Sequence, residues 1–96
     1  MKKYYFYILT NRNKTVLYVG ITNNLKRRIT EHKEGINKKS FTARYNCHML
    51  VYFESFDSAS TAIQREKQIK AGPRKQKEQL INRENPNWDD LYDDLF

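Results

Sequence analysis

The strongest constraint on the fold of this chain is a pair of short aromatic and β-branched runs, Tyr4 to Leu9 (YYFYIL) and Val16 to Val19 (VLYV), held a few residues apart. Such residues suit the pleated, half-buried surface of a strand. Between them lies Asn11-Arg12-Asn13-Lys14, which is turn chemistry, so the two runs are expected to close as an antiparallel hairpin. Symmetric pairing about that turn sets Thr10 opposite Thr15. Counting outward, it sets Tyr7 opposite Tyr18, with both phenols on one sheet face.

The remaining elements follow from start and stop signals. Thr22-Asn23-Asn24 opens a helix over about 25–34, and Gly35 stops it. The stretch 36–47 is polar, basic and irregular, with one helical turn expected near Ser40 to Tyr45. Met49 to Phe53 (MLVYF) reads as a third strand. Asp57 or Ser58 caps a helix over about 59–71 that ends at Gly72-Pro73, and a second helix follows over about 73–82. Pro86-Asn87-Trp88 closes the compact part, and Trp88, Leu91, Tyr92, Leu95 and Phe96 fit a short final helix. The order is ββ-α-β-αα, an α+β domain with no internal repeat and no low-complexity linker. A chain of 96 residues supports one modest core.

Charge divides the chain unevenly. Residues 1–83 hold all 18 basic side chains and carry +12, whereas 84–96 carry −5, so a basic body is followed by an acidic segment. A concentrated positive body points to a polyanion partner, usually nucleic acid, against the alternative that the charge serves solubility alone. The acidic segment either folds back on the body or stays in water. The longest apolar run, Tyr4 to Leu9, falls far short of the about 20 residues a membrane span needs. It is also too short and too aromatic for a signal peptide. A lone cysteine, Cys47, excludes an internal disulfide and fits a reducing compartment, so the expected location is cytoplasmic.

A few side chains sit where a purely structural pattern would not put them. On the first helix Leu25 and Ile29 form the apolar side, with His32 close to Leu25 around the axis and Arg28 on the same flank. On the later helix Ala59, Ala62, Ile63 and Ile69 form a stripe, and Glu66 falls inside it. A carboxylate there is costly unless it is paired, metal-bound or at the mouth of a cleft. The structural alternative for Glu66 is a salt bridge, for instance with Arg28, and that for His32 is a packed, hydrogen-bonded histidine. Cys47 and His48 have no partners at metal-ligand spacing, which argues against zinc. Lys26-Arg27-Arg28, Lys38-Lys39 and Arg74-Lys75-Gln76-Lys77 would each be a solvated face if met alone.

Taken together, Tyr5-Phe6-Tyr7, Tyr18-Val19-Gly20 ten residues on, Leu25-x-x-Arg28-x-x-x-His32 and Arg65-Glu66-Lys67 resemble the GIY-YIG nuclease pattern. The likeness covers about residues 4–83. Its detail, with Glu66-Lys67-Gln68-Ile69-Lys70 and the Pro86-Asn87-Trp88 ending, is similar to the short stand-alone bacterial members. The first triplet departs from the pattern, with Tyr5 and Phe6 where Gly and Ile are usual. The resemblance implies a three-stranded antiparallel sheet flanked by helices, with the active site on one sheet face. It assigns Tyr7 and Tyr18 to that site, one of them helping to deprotonate the attacking water. It gives Arg28 the neutralisation of phosphate charge, Glu66 one divalent cation, expected to be Mg²⁺, and His32 proton transfer or positioning. An asparagine near the site is common in the family, and Asn85 and Asn87 are both candidates.

The chemistry agrees with this set of residues. Phosphodiester cleavage builds negative charge on oxygen, which a cation clamp and a metal stabilise. An ordinary phenol is only about 0.1% ionised at pH 7, a deficit of roughly 4 kcal/mol, so a tyrosine base needs neighbours that favour phenolate. The expected function is Mg²⁺-dependent hydrolysis of DNA phosphodiesters, with branched or damaged DNA among the substrates. Lys26, Arg27, Lys38, Lys39, Arg44, Arg74, Lys75 and Lys77 would meet the phosphates, and a protein partner would supply specificity. The alternatives are a catalytically silent nucleic-acid-binding module and a protein-interaction domain with a basic docking face.

Overall fold

A computed structural model describes residues 2–96. Three strands, β1 (Tyr4–Thr10), β2 (Leu17–Thr22) and β3 (Met49–Phe56), form one antiparallel sheet in the order β2-β1-β3. The helices are α1 (Leu25–Glu34), α2 (Phe41–Arg44), α3 (Ala59–Ala71), α4 (Arg74–Glu84) and α5 (Tyr92–Leu95). The expected order ββ-α-β-αα is observed, with α2 and α5 as the short turns anticipated at Ser40 to Tyr45 and after Trp88.

The hairpin register differs from simple symmetry. Thr10 pairs with Leu17, not Thr15, and Tyr7 pairs with Gly20, not Tyr18, which faces Leu9. The cause is Asn11, whose Oδ1 accepts from the backbone N–H groups of Thr15 and Val16 at 2.8 and 3.0 Å and so holds both residues in the loop. The Thr10 hydroxyl adds a bond to the Val16 carbonyl at 2.7 Å. A slip of two positions preserves side-chain parity, so Tyr7 and Tyr18 still share a face, as diagonal neighbours.

The two faces of the sheet build two cores. Phe6, Ile8, Val19, Val51 and Tyr52 pack with Ile69 of α3 and Leu80 and Ile81 of α4. On the other face Tyr7, Leu9 and Leu50 pack with Leu25 and Ile29 of α1 and with Cys47. Asn24 caps α1, its side chain accepting from the Arg27 N–H, and Gly35 ends the helix at φ 63° with bonds back to His32 and Glu31.

A bulge in β3 leaves Val51 without a β1 partner, and its carbonyl accepts from Asn85 Nδ2 at 3.1 Å instead. The acidic segment folds back. Leu91 N–H donates to Leu50 O at 2.8 Å, Asp90 accepts from Leu50 N–H and pairs with Lys33, and the Tyr92 hydroxyl lies 2.7 Å from that of Thr30. The Leu50–Val51 end of the β3 edge is thereby covered. Among the described residues no helix is long and apolar enough to cross a membrane.

Candidate active site

Two neighbouring strands and one helix bring the first group of residues together. Tyr7 projects from β1 into the α1 face of the sheet and is only 1% exposed. Its hydroxyl lies 3.0 Å from His32 Nε2, and His32, itself 6% exposed, has Nδ1 2.7 Å from the Thr42 hydroxyl. A neutral imidazole offers one donor and one acceptor. The pattern closes when Tyr7 donates to Nε2 and Nδ1–H donates to Thr42, whose hydroxyl reaches Ser40 Oγ at 3.2 Å. Tyr18, half-buried on β2, has its ring 6.4 Å from that of Tyr7 and 5.7 Å from His32.

Arg28 stands one turn before His32 on α1, with its guanidinium facing the Tyr7 phenol and held 3.1 Å from Glu31 Oε1. Arg28, Glu31, His32, Ser40 and Thr42 line a cleft of about 180 Å³. Glu31 therefore takes the partner role that the sequence left open between Arg28 and Glu66.

Burial sets the protonation states. It pushes the Tyr7 phenol up to about 12, with the neighbouring Tyr18 adding to the shift and Arg28 opposing it. It pushes His32 down to about 4, and the positive charge of Arg28 acts in the same direction. At neutral pH the pair is a neutral phenol bonded to a neutral imidazole. Ionising Tyr7 at pH 7 would cost roughly 7 kcal/mol, well beyond an ordinary phenol.

Gly20 is what lets the Tyr7 ring lie flat across the hairpin. A Cβ there would fall 2.8 Å from Tyr7 Cε2 and closer still to the end of the ring. The ring is buried and bonded to His32, so it has little room to yield. Gly20→Ala is expected to cost about 1–3 kcal/mol of stability, seen as a lower denaturant midpoint. It should also break the Tyr7–His32 contact, seen in the imidazole NMR shifts. Unchanged shifts in the variant would contradict this arrangement.

Glu66 lies on α3, which packs against the opposite sheet face through Ile69. The buried line of that helix runs through Ala62 and Ile69. Ile63, expected in the stripe, is exposed, and Arg65 turns inward to grip Glu54 through Nε and Nη2, each 3.0 Å from a carboxylate oxygen. The Glu66 side chain is 13% exposed and pairs with Lys70 at 3.6 Å. Lys70 in turn lines a cleft with Tyr18 and Phe41, so the carboxylate is one ion pair away from the tyrosine side, across the β2 edge. No hydrogen bond or ion pair joins it to Tyr7, Tyr18, Arg28 or His32 among the described residues.

Among the described residues no three His, Cys, Asp or Glu side chains gather as a metal cluster. A single largely covered carboxylate with one weak partner still fits Mg²⁺, which is commonly held by one or two carboxylates, with water and phosphate oxygens completing its shell.

The predicted cations divide by their surroundings. Lys26, Arg27, Lys38, Lys39, Arg44 and Lys75 are exposed. Arg74 is engaged with Glu78 and with the carbonyls of Thr15 and Lys14, and Lys77 donates to Gly72 O at 3.0 Å. Both tie α4 to its surroundings. Asn85 is buried and clamps Val51 to Asp89, while Asn87 is exposed and gives its carbonyl to Lys14, so neither is bonded to the tyrosine cluster. Neither Thr42, which meets His32 only through the irregular segment, nor Glu31 carries a signal in the sequence. The departures Tyr5 and Phe6 pack beside Phe53 and Tyr52, Phe6 on the opposite sheet face from Tyr7.

Known proteins resemble this chain in sequence and, for one solved structure, in fold. The UPF0213 protein of Bacillus halodurans, solved by NMR, superposes with a TM-score of 0.57 at 29% identity, covering 93% of each chain. The UPF0213 protein of Syntrophus aciditrophicus is 42% identical over 86 residues, 90% of this chain and 97% of its own. That of Clostridium perfringens is 44% identical over 78 residues, 81% and 82% of the two chains. The family model of the GIY-YIG catalytic domain matches residues 3–82, nearly all of the sheet and its helices, and this chain accordingly belongs to the GIY-YIG family.

Proposed function

We propose that this protein is a divalent-metal-dependent endonuclease that hydrolyses phosphodiester bonds in DNA. The observation that carries this reading is the buried Tyr7–His32 pair set beneath a half-exposed Tyr18 and Arg28. Such an arrangement spends burial energy on polar groups that the core does not need.

Each residue has a role that its surroundings allow. Tyr7 is a positioning residue: neutral and nearly inaccessible, it donates to His32 and keeps its remaining lone pair toward Arg28. Arg28 uses the part of its guanidinium not engaged by Glu31 to take the phosphate, where negative charge develops. Tyr18 reaches the surface and is the phenol able to contact the attacking water or a phosphate oxygen. His32, uncharged at neutral pH, accepts the hydrogen bond of the Tyr7 hydroxyl and so fixes the orientation of that phenol toward Arg28. Mg²⁺ held by Glu66 would act as a Lewis acid on the phosphate and lower the pKa of a bound water. The exposed cations Lys26, Arg27, Lys38, Lys39, Arg44 and Lys75 hold the DNA backbone.

The test is a Mg²⁺ titration of nicking on supercoiled, linear and branched DNA. Metal-dependent cleavage of any of the three supports the proposal, and none on all three defeats it. Binding without metal should be mostly electrostatic. If about five of the exposed cations meet phosphates, the log–log salt slope should be about −4 to −5. A slope indistinguishable from zero would remove the nucleic-acid reading.

A further inference from the structure

The segment between α1 and β3 holds an aromatic arrangement that the catalytic residues do not explain. The Phe41 ring stacks on Tyr18 at 5.8 Å between centroids and 30° between planes, and Tyr45 follows Phe41 at 4.6 Å. Arg44 sits 5.8 Å from the Tyr45 ring. Phe41 is 45% exposed and Tyr45 42%, at the start and the C-cap of a four-residue helix whose buried member is Thr42. Two large rings left half in water are a poor way to stabilise so short a helix. Beside them, Tyr18, Phe41, Lys70 and Lys77 line a cleft of about 390 Å³, within the range of about 300–1,000 Å³ usual for small-ligand clefts. Lys38 and Lys39 are exposed on the same segment.

We propose that Tyr18, Phe41 and Tyr45 form a stacking platform for an unpaired base of single-stranded DNA next to the cleavage site. Aromatic faces bordered by cations are what an unpaired nucleotide requires, because its base has a free π-face and its phosphate a charge. A base inside a duplex is stacked on its neighbours and cannot reach the ladder. The favoured substrate is therefore DNA that presents an unpaired segment, such as a flap or a loop. This rests on the nuclease reading and narrows its substrate.

The probe is an oligonucleotide carrying 2-aminopurine in an unpaired segment, compared with the same sequence as a full duplex, with no divalent metal so that nothing is cut. Binding by the wild-type chain should quench the unpaired 2-aminopurine. Phe41→Leu and Tyr45→Leu should each lower the ratio of unpaired to duplex affinity about tenfold, and Tyr45→Trp should preserve it. Both rings are half-exposed, so the Tyr45 variants are expected to fold even if Phe41→Leu does not, and melting curves verify this. Absence of quenching, or an unchanged affinity ratio in Tyr45→Leu, overturns the platform while leaving nuclease activity to its own test. Tighter binding of the matching RNA through the same residues overturns the assignment to DNA. Failure of wild-type protein to bind any DNA at low salt defeats the underlying nuclease reading instead.

Discussion

Replacing Glu66 by glutamine is expected to lower Mg²⁺-dependent cleavage by on the order of 10²–10³-fold or more, while leaving the protein folded and able to bind DNA. The amide keeps the size of the side chain but loses the charge that would hold the cation. Stability should barely change. The pair with Lys70 is long at 3.6 Å, it spans an i,i+4 step, and the lysine is largely in water. Such pairs contribute about 0.2–1 kcal/mol. Arg28 does not depend on Glu66, because its partner is Glu31. The exposed basic residues are untouched, so the salt dependence of binding should be unaltered. If Glu66 served only to pair with Lys70, the variant would cut like the wild type, and nicking and melting measured on one preparation would reveal it. Lys70→Ala separates the roles further: freeing the carboxylate should sharpen the response to Mg²⁺ at low concentration.

The secondary elements were legible because their signals are local. Asn24 and Gly35 delimit the first helix as expected, through an N-cap bond and a left-handed C-terminal residue. The third strand runs three residues beyond Phe53, because Glu54, Ser55 and Phe56 find partners in Phe6, Tyr5 and Tyr4, and nothing within the segment itself announces them. Register was the weaker inference. Turn symmetry ignores a side chain that caps two backbone N–H groups, as Asn11 does, yet the phenols kept their common face because the slip was even.

For the candidate residues, the sequence carried helix faces and strand parity but not which side chains are buried. Helical angle counting placed His32 and Arg28 on one flank correctly, but it could not show that Tyr7 is sealed off while Tyr18 is open. That difference arises because Gly20 and the α1 residues Leu25, Ile29 and His32 pack against the Tyr7 ring, with His32 held in place by Thr42. It is the basis for the different roles proposed for two tyrosines that the motif alone treats as equivalent. Likewise the choice between Asn85 and Asn87 needed the bulge at Val51, a long-range feature, to show that Asn85 is occupied in structure.

The buried imidazole makes the stability of the fold depend on pH in a particular window. His32 is uncharged in the folded protein down to about pH 4, chiefly because burial disfavours the cation and secondarily because Arg28 lies beside it. Glu31 opposes these effects, and His48 reinforces them. Protonation would also turn Nε2 into a donor facing the Tyr7 hydroxyl, 3.0 Å away, which now donates to it. In the unfolded chain the imidazole takes its proton near the ordinary value of about 6.5. Between the two values the unfolded state binds more protons, so the contribution is complete above pH 6.5 and is lost as the pH falls toward 4. Its full size is roughly 3 kcal/mol, and the melting temperature should drop by on the order of 10 °C between pH 7.5 and 5. Carboxylates enter lower. Burial raises the Glu54 carboxyl, but bonds from Arg65 and Tyr52 outweigh this and hold it below its ordinary value, so its contribution persists until the pH is below about 4.5. His32→Gln removes the titration while keeping polar contacts with Tyr7 and Thr42. The variant should start less stable at pH 7.5 and then hold nearly constant to pH 5, so that the two melting curves converge as the pH falls. Parallel curves across that range would show that His32 is not the buried neutral partner of Tyr7, and would remove the basis for its positioning role.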